Sequence, residues 1–253
     1  MKQEIRLSKR LELVTEFAGG GRCAADMGTD HGYVPIALVL RGLADRAIAM
    51  DVRPGPLERA REHIRRYGLE GQIETRLSDG AGALSAGEAD TFIAAGMGGE
   101  LVIHILETGR ALWEGGGRWI LSPQSEPEKV RAFLEREGFL ICREAMTQED
   151  GKYYTVMEAA RQEKGPAAPM TPAQLRYGPR LLENRDPVLA EFLKKEKKTV
   201  CGILAGLEGQ TGSSAGERRK EMEQRRKEIQ EAEDELQRMD GAPGEAGASG
   251  MCL

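Results

Sequence analysis

An acidic, glycine-containing turn in the segment "AADMGTDHGYVP" (residues 24–35) combines residue types that can bind a charged ligand. Asp26 ends a short apolar run that predicts a buried strand, and an apolar helix is predicted directly after the turn. Gly28 permits a positive φ and a close approach of the backbone to a ligand. Asp30 and His31 stand where a nucleotide-binding turn often has further glycines. The pattern predicts a ligand site between a strand and a helix.

A second acid, Asp51, ends the next predicted strand, "RAIAMD". An acid at this place in Rossmann-like folds accepts hydrogen bonds from both hydroxyls of a ribose. Asp26, Gly28 and Asp51 therefore predict a nucleoside cofactor, although two polar strand ends would give the same pattern. The turn lacks GxGxxG, and Asp30 would repel a pyrophosphate. S-adenosylmethionine has no phosphate and carries a sulfonium and an ammonium, so it is the predicted cofactor.

Two later segments extend the predicted cofactor site. In "LSDGAGAL", Asp79 and Gly80 follow the third predicted strand, where an acid can accept a hydrogen bond from an adenine amine. A plain Asp-Gly turn is the alternative. The fourth strand ends in "AAGMGGELV" (residues 94–102), whose glycines allow the backbone to approach a cofactor and whose Met97 offers an apolar contact to a flat base. Close packing of a helix on a strand explains these glycines equally well.

Runs typical of strands alternate with helical runs from about residue 20 to residue 160. Strict alternation predicts a parallel sheet with helices on both faces. The segment "FLICREAMTQEDGKYYTVMEA" predicts two closing strands around a turn at residues 149–151, which makes the last strand antiparallel. Seven strands with an antiparallel last strand are the plan of the class I S-adenosylmethionine-dependent methyltransferases. The predicted fold class is therefore α/β, with a Rossmann-like seven-stranded sheet.

A Pro/Ala-rich segment, "RQEKGPAAPMTP", separates this sheet from a charged helical region. Two long helices are predicted on either side of "GQTGSSAG", and they form an antiparallel, coiled-coil-like helical hairpin. We expect a catalytic domain over residues 1–162 and the hairpin over residues 171–240. Residues 241–253 have a low-complexity composition that predicts a disordered tail.

The composition limits the partners and the compartment. The 253 residues carry a net charge of −5, which counts mildly against a nucleic-acid partner without excluding one. No apolar run approaches the roughly 20 residues that cross a bilayer, so no membrane association is expected. Four scattered cysteines without CxxC spacing indicate a reducing cytoplasm, and with three histidines they give no support to a metal site. We expect a cytoplasmic monomer or weak homodimer.

Seven segments together resemble one known family: "LSKRLELV", "ADMGTDHGYVP", "GPLERA", "SDGAGAL", "AGMGGELVIHIL", "ILSPQ" and "EDGKYY". Over about residues 5–240 the chain resembles the bacterial tRNA (adenine(22)-N1)-methyltransferases. The resemblance implies transfer of a methyl group from S-adenosylmethionine to N1 of an adenine in the D-stem–loop region of tRNA. It also implies that the C-terminal helical domain helps to hold the tRNA.

The chemistry of this reaction suggests roles for the turn residues. Adenine N1 already has a lone pair, so the enzyme must align it with the methyl group and stabilise the charge that develops on the ring. Asp30 is the candidate acceptor for the adenine N6 amine, and binding of the cofactor ammonium is its competing role. His31 could contact the cofactor carboxylate or the base, or cap the helix. Tyr33 could stack on a base or pack in the core.

The predicted site residues fall into two sets, with Asp30 and His31 as the catalytic candidates. The predicted cofactor-binding residues are Asp26, Gly28, Thr29, Asp30, His31, Asp51, Val52, Asp79, Gly80, Gly96, Met97 and Gly98. The predicted tRNA-binding residues are Lys9, Arg10, Tyr33, Gln124, Lys194, Lys195, Lys197, Lys198, Arg218 and Arg219. A solvated helix face with intermixed glutamates is the alternative explanation of the basic runs.

Two other functions are compatible with the sequence. A methyltransferase of the same fold could act on a small molecule or a protein, with the helical hairpin as a lid or a dimerisation element. A non-catalytic module could bind the cofactor and use the hairpin to recruit partners. Incubation with labelled S-adenosylmethionine and either tRNA or a small-molecule extract distinguishes these functions.

Overall fold

A computed structural model describes residues 4–162, 168–210 and 212–238. The chain divides into two compact units, and the boundary lies between Ala168 and Pro169. The tail predicted for residues 241–253 lies outside the described residues. Within the described part of the chain, no helix has the length and apolar character needed to cross a membrane.

The first unit is built on one seven-stranded sheet. Its strands are β1 (Cys23–Met27), β2 (Arg46–Asp51), β3 (Ile73–Leu77), β4 (Thr91–Gly98), β5 (Arg118–Ser125), β6 (Phe139–Glu149) and β7 (Lys152–Arg161). They lie in the order β3-β2-β1-β4-β5-β7-β6. The first five strands pair in parallel, and β7 is antiparallel to both β5 and β6. The predicted sheet with an antiparallel last strand is confirmed.

In the described part of the first unit, six helices connect and cover the strands. They are α1 (Lys9–Ala18), α2 (Tyr33–Leu40), α3 (Pro54–Arg66), α4 (Gly99–Thr108), α5 (Arg110–Trp113) and α6 (Pro127–Arg136). Ser8 caps the start of α1, because its side chain accepts a hydrogen bond from the Leu11 amide. Prolines occupy the first turn of α3 and α6, where a missing N–H costs nothing.

Apolar side chains of the helices and strands form the core of the first unit, and a crevice lies at the carboxyl ends of its middle strands. One buried cluster joins α2 and α3 to β2 and β3, and another joins α1 and α2 to the middle strands. The chain leaves β1 toward β2 on one side, while β4 lies on the other side of β1. Such a reversal opens a crevice at the carboxyl ends of the strands, where ligands bind in this type of fold.

The second unit is helical, as predicted. It contains α7 (Pro172–Tyr177), α8 (Pro179–Glu183), α9 (Pro187–Gly206) and α10 (Ser213–Gln237). Lys197 of α9 pairs with Glu233 near the end of α10, and Arg219 near the start of α10 donates to the carbonyl of Leu207 just after α9. The two long helices are therefore antiparallel. The Asp186 carboxylate caps α9 by accepting from the amides of two residues in its first turn.

Candidate cofactor and substrate site

Two adjoining cavities lie at the carboxyl ends of β1, β2 and β4. The first cavity has a volume of about 310 Å³ and the second about 250 Å³, and both are lined by Gly28, Ala95 and Gly96. The first is also lined by Arg10, Leu11, Asp26, Thr29, Asp30, His31, Tyr33 and Val34. The second is also lined by Asp51, Val52, Arg53, Ser78, Asp79, Gly80, Met97, Leu101 and Ile105. Most of the predicted cofactor residues are thereby brought together.

The second cavity has the chemistry that a nucleoside requires. The Asp51 side chain is almost fully buried, and its Oδ1 accepts a hydrogen bond of 2.8 Å from the Arg53 amide. Among the described residues no donor reaches Oδ2, so this oxygen is available to ribose hydroxyls. Val52 and Leu101 are exposed apolar side chains on the cavity wall, which suits a flat base. Asp79 lies there too, with its Oδ1 3.5 Å from Nε2 of His104.

Two glycines shape the wall that the cavities share. Gly28 has a φ of +84°, and a Cβ on it would lie 2.5 Å from the Met97 side chain. Gly96 also has a φ of +84°, and the pairing of β4 with β5 is irregular between Ala95 and Gly98. A side chain at either glycine would be strained and would reduce the shared space. The backbone conformation at both positions therefore favours glycine, and their role in binding a ligand stays a prediction.

Asp26 is a buried carboxylate whose charge is poorly compensated. Its side chain is 7% exposed at the end of β1. Burial raises the pKa of Asp26 from 3.8 to about 6; a hydrogen bond from the Thr29 side chain lowers it, and the charge of Asp51 raises it further. Two carboxylates that repel each other in this way create a site for a cation. The residues present thus fit the ammonium and sulfonium groups of S-adenosylmethionine.

Replacing Asp26 with asparagine is expected to stabilise the ligand-free protein at pH 7.5 and to weaken cofactor binding about tenfold. The folded state favours protonated Asp26, so this group's contribution to stability is full below pH 3.8 and is lost as the pH rises through about 6. Asparagine removes a cost on the order of 2–3 kcal/mol above that pH. Thermal unfolding at pH 7.5 and pH 4.5, with calorimetric titration of S-adenosylmethionine, measures both effects.

Asp45→Asn is the matched control for this measurement. Asp45 is exposed just before the amino end of β2, away from the cavities, so its replacement changes the charge equally without touching the site. An Asp26→Asn protein that is less stable than the wild type at pH 7.5 would contradict the inference that the buried, ionised Asp26 destabilises the ligand-free protein.

Asp30 lies in the first cavity and is paired with an arginine that the sequence analysis did not single out. Its Oδ1 accepts from Nε and Nη2 of Arg59 on α3 at 3.2 Å and 2.5 Å, and its Oδ2 lies 3.5 Å from Nε2 of His31. The hydrogen bonds from Arg59 hold the pKa of Asp30 below its ordinary value. The Asp30 side chain is 58% exposed, so an ionised carboxylate faces the cavity.

Three aromatic rings form a cluster at the rim of the first cavity. The rings of His31, Tyr33 and His63 lie with centroids 5.1–5.3 Å apart and with nearly parallel planes. Nδ1 of His63 lies 3.0 Å from the His31 carbonyl oxygen, which ties α3 to the turn. Tyr33 is 38% exposed and lines the cavity, so its ring offers a surface to a ligand.

Some predicted site residues lie outside the linings of the two cavities. Gly98 is the N-cap of α4, and its missing side chain leaves room for the Ser125 hydroxyl. Lys9 is exposed at the start of α1. Gln124 is exposed in β5, with its Nε2 3.8 Å from the position of a Cβ on Gly96. The roles assigned to these three residues stay predictions.

The basic residues predicted to bind tRNA in the second unit differ in how they are engaged. Lys197 pairs with Glu233, Arg218 with Glu221, and Arg219 donates to a backbone carbonyl. Lys194, Lys195 and Lys198 are exposed on α9. In the ranges that the structure covers, no group of three His, Cys, Asp or Glu side chains could hold a metal ion.

Three residues that line the cavities, and one that pairs with a lining residue, were missed by sequence reasoning for different reasons. Leu101 and Ile105 lie on α4 and line the second cavity, and the sequence analysis assigned no site role to either of these apolar residues. Arg53 directly follows the predicted pair Asp51–Val52 and could have been included. Arg59 lies in the segment "GPLERA" that carries the resemblance, but nothing in that segment identified Asp30, 29 residues away in another element, as its partner.

The fold and the paired cavities define a class I S-adenosylmethionine-dependent methyltransferase. The chain belongs to the tRNA (adenine(22)-N(1))-methyltransferase family, whose model matches residues 24–238. It is 37% identical over 194 residues to the tRNA (adenine(22)-N(1))-methyltransferase of Bacillus subtilis. The alignment covers 76% of this chain and 80% of that protein.

Solved structures show the same relationship. The crystal structure of the Bacillus subtilis m1A22 tRNA methyltransferase covers 90% of this chain and 99% of its own, with a TM-score of 0.81 and 32% identity. A putative tRNA (m1A22) methyltransferase of Streptococcus pneumoniae, solved in complex with S-adenosyl-L-methionine, covers the same shares with a TM-score of 0.78 and 31% identity.

Proposed function

We propose that this protein transfers the methyl group of S-adenosylmethionine to N1 of adenine 22 in tRNA and forms 1-methyladenosine. The observation that carries the proposal is the pair of acid-lined cavities at the reversal of the sheet, in a chain of this family. The second cavity receives the nucleoside of the cofactor, with Asp51 on the ribose. The methionine portion lies toward Asp26, and the first cavity receives the target base.

The reaction makes limited chemical demands on the protein. When bound, S-adenosylmethionine supplies a methyl group already activated by its sulfonium. Adenine N1 has a free lone pair, so no general base is needed before attack. The side chains must align N1 and stabilise the positive charge that spreads over the adenine ring. Asp30 is suited to this, because it lines the first cavity, Arg59 keeps it ionised, and both hydrogen bonds from Arg59 go to Oδ1 and leave Oδ2 for the base.

The division of work among the acids follows from their surroundings. Asp26 is buried beside the turn and is suited to the cofactor's positive charges, which leaves the more exposed Asp30 for the N6 amine of the base. N1 lies on the Watson–Crick edge, so the adenine must be unpaired or flipped out to enter. The exposed ring of Tyr33 then offers a stacking surface at the cavity, with His31 packed against it.

The helical hairpin is proposed to hold the tRNA through exposed lysines. Lys194 and Lys198 are four residues apart and therefore share one face of α9. Both are exposed, and among the described residues no carboxylate pairs with either. Lys197, by contrast, is held by Glu233 and is less available to a phosphate. The protein acts on tRNA in the cytoplasm, without a metal, as a monomer or weak homodimer.

An assay with defined tRNA tests the proposed function. Purified protein, labelled S-adenosylmethionine and an unmodified tRNA transcript are incubated, and the modified nucleotide is mapped by mass spectrometry. We expect one methyl group on adenine 22, and none on a transcript with guanine at that position. Transfer to small molecules alone would favour a methyltransferase of the same fold with a small-molecule substrate. Cofactor binding without any transfer would favour a non-catalytic module that binds the cofactor.

Reversing the charge at Lys198 is expected to raise the KM for tRNA about tenfold and to leave the affinity for S-adenosylmethionine unchanged. A phosphate contact is lost and a repulsive carboxylate replaces it. Steady-state kinetics at several salt concentrations measure the effect. Lys129→Glu is the control, because Lys129 lies in the first unit between Glu100 and Glu126, in an acidic surrounding. An unchanged KM in the Lys198 variant would argue against this face of α9 as an RNA contact.

A further inference from the structure

The tip of the β6–β7 hairpin contacts the start of α1, far away in the sequence. Oε1 of Glu149 accepts a 2.7 Å hydrogen bond from the backbone N–H of Lys9, across 140 positions of the chain. The guanidinium of the next residue, Arg10, lies over the ring of Tyr154 at 5.4 Å from its centroid. The β6 and β7 strands already pair with each other along their length, so neither contact is required to form the hairpin.

These two contacts place Arg10 on the wall of the first cavity. Nη1 of Arg10 lies 3.0 Å from the position that a Cβ on Gly96 would occupy, so the missing side chain of Gly96 leaves room for the guanidinium. Among the described residues no carboxylate pairs with Arg10. Arg59, by contrast, pairs with Asp30 of the same cavity. Arg10 is thus a cation without a counter-ion at the site where the substrate enters.

The charges of the adenine ring and of the RNA backbone indicate which of them Arg10 binds. The adenine ring gains positive charge during methyl transfer, so a guanidinium against the base would oppose the reaction. A phosphate of the RNA backbone has the opposite charge and matches the planar donors of arginine. Two exposed cations, Arg6 and Lys9, precede the half-buried Arg10 on the same segment and add positive charge that a phosphate backbone would favour.

We propose that Glu149 and Tyr154 are positioning residues that hold Arg10 at the rim of the first cavity, where its guanidinium binds an RNA phosphate beside the target adenosine. Glu149 fixes the start of α1, and the ring of Tyr154 restricts the long arginine side chain to one direction. Less conformational freedom is then lost when the phosphate binds. This inference rests on the proposed function and adds specific residues to its RNA-binding surface.

A double-mutant cycle tests the proposal in the full-length protein. Arg10→Ala is expected to raise the KM for tRNA by about 10- to 100-fold, and Tyr154→Leu by about 3- to 10-fold. The double variant is expected to match Arg10→Ala alone, because Tyr154 acts through Arg10. In Arg10→Ala, the plot of log K for tRNA binding against log salt concentration is also expected to become less steep, by about one unit of slope. The dissociation constant of S-adenosylmethionine, measured without tRNA, stays unchanged in every variant.

Two further variants separate this role from a structural one. Tyr154→Phe keeps the ring and is expected to retain the wild-type KM for tRNA. Tyr153→Leu is the control, because neighbouring side chains of a strand point to opposite faces of the sheet. Additive effects of Arg10→Ala and Tyr154→Leu would overturn the positioning role. A weaker affinity for S-adenosylmethionine with an unchanged KM for tRNA would show that Arg10 holds the cofactor carboxylate, and would also overturn the proposal. Absence of tRNA methylation by the wild type would instead refute the proposed function.

Discussion

Replacing Asp30 with alanine is expected to lower kcat about 100-fold while changing the dissociation constant of S-adenosylmethionine by less than about threefold. Charge-stabilising groups aimed at the reacting centre contribute about 3 kcal/mol in other enzymes. Asp30 meets the requirement because the Arg59 contacts hold its pKa low and keep it ionised at neutral pH. The hydrogen bond to the N6 amine strengthens only as the ring becomes cationic, so the loss falls on turnover.

Single-turnover kinetics with saturating tRNA and calorimetric titration of the cofactor separate the two roles left open for Asp30. A large loss of cofactor affinity with an unchanged kcat would assign Asp30 to the ammonium of the cofactor. Full turnover with unchanged binding would remove it from the mechanism. Glu58→Ala is the matched control, because Glu58 also pairs with an arginine of α3, Arg61, but does not line either cavity.

Replacing Asp51 with alanine is expected to raise the dissociation constant of S-adenosylmethionine about 100-fold and to preserve most of kcat at saturating cofactor. Two hydrogen bonds from ribose hydroxyls to a buried carboxylate together contribute about 3 kcal/mol. Asp51 is already oriented by the Arg53 amide, so its side chain is preorganised for this contact. The ribose is remote from the reacting atoms and its binding does not change in the transition state.

S-adenosylhomocysteine provides a second measurement for Asp51, since it keeps the ribose and lacks the sulfonium charge. Its affinity is expected to fall by the same factor as that of S-adenosylmethionine. A loss confined to S-adenosylmethionine would mean that Asp51 acts on the sulfonium rather than on the ribose. Asp45→Ala, at the opposite end of the same strand, is expected to bind both ligands like the wild type.

Asp26 and Asp51 illustrate how much of the candidate site could be predicted from the sequence. Asp26 and Asp51 were predicted from their place at the ends of apolar runs, and the fold puts both beside the shared cavity wall. The parallel sheet and its antiparallel closing strand followed from the alternation of helix and strand and from the closing hairpin, whereas the order of the strands is seen only in the structure. These features are local, because a periodic pattern of a few residues defines a strand, a helix or a turn.

Ion pairs and ring contacts between residues far apart in the sequence are not marked by a local sequence pattern. The sequence favoured exposed lysines and arginines alike as RNA contacts, whereas the structure commits Lys197, Arg218 and Arg219 to partners within the second unit. It likewise could not show that His31, Tyr33 and His63 form one cluster of rings, since they belong to a turn and two separate helices. Charge and ring partners depend on how elements pack.

The amino-acid sequence by itself determined the sheet, the acidic glycine turn and the choice of a cationic cofactor over a dinucleotide, because each depends on residue types within short segments. Only the tertiary structure decided that Arg59 holds Asp30 and that the β6–β7 hairpin holds Arg10 at the first cavity. Those contacts join elements that are far apart along the chain, and they arise when the helices settle on the sheet. Local hydrophobic periodicity specifies which face of an element is buried, but it does not specify which polar side chains meet at its ends.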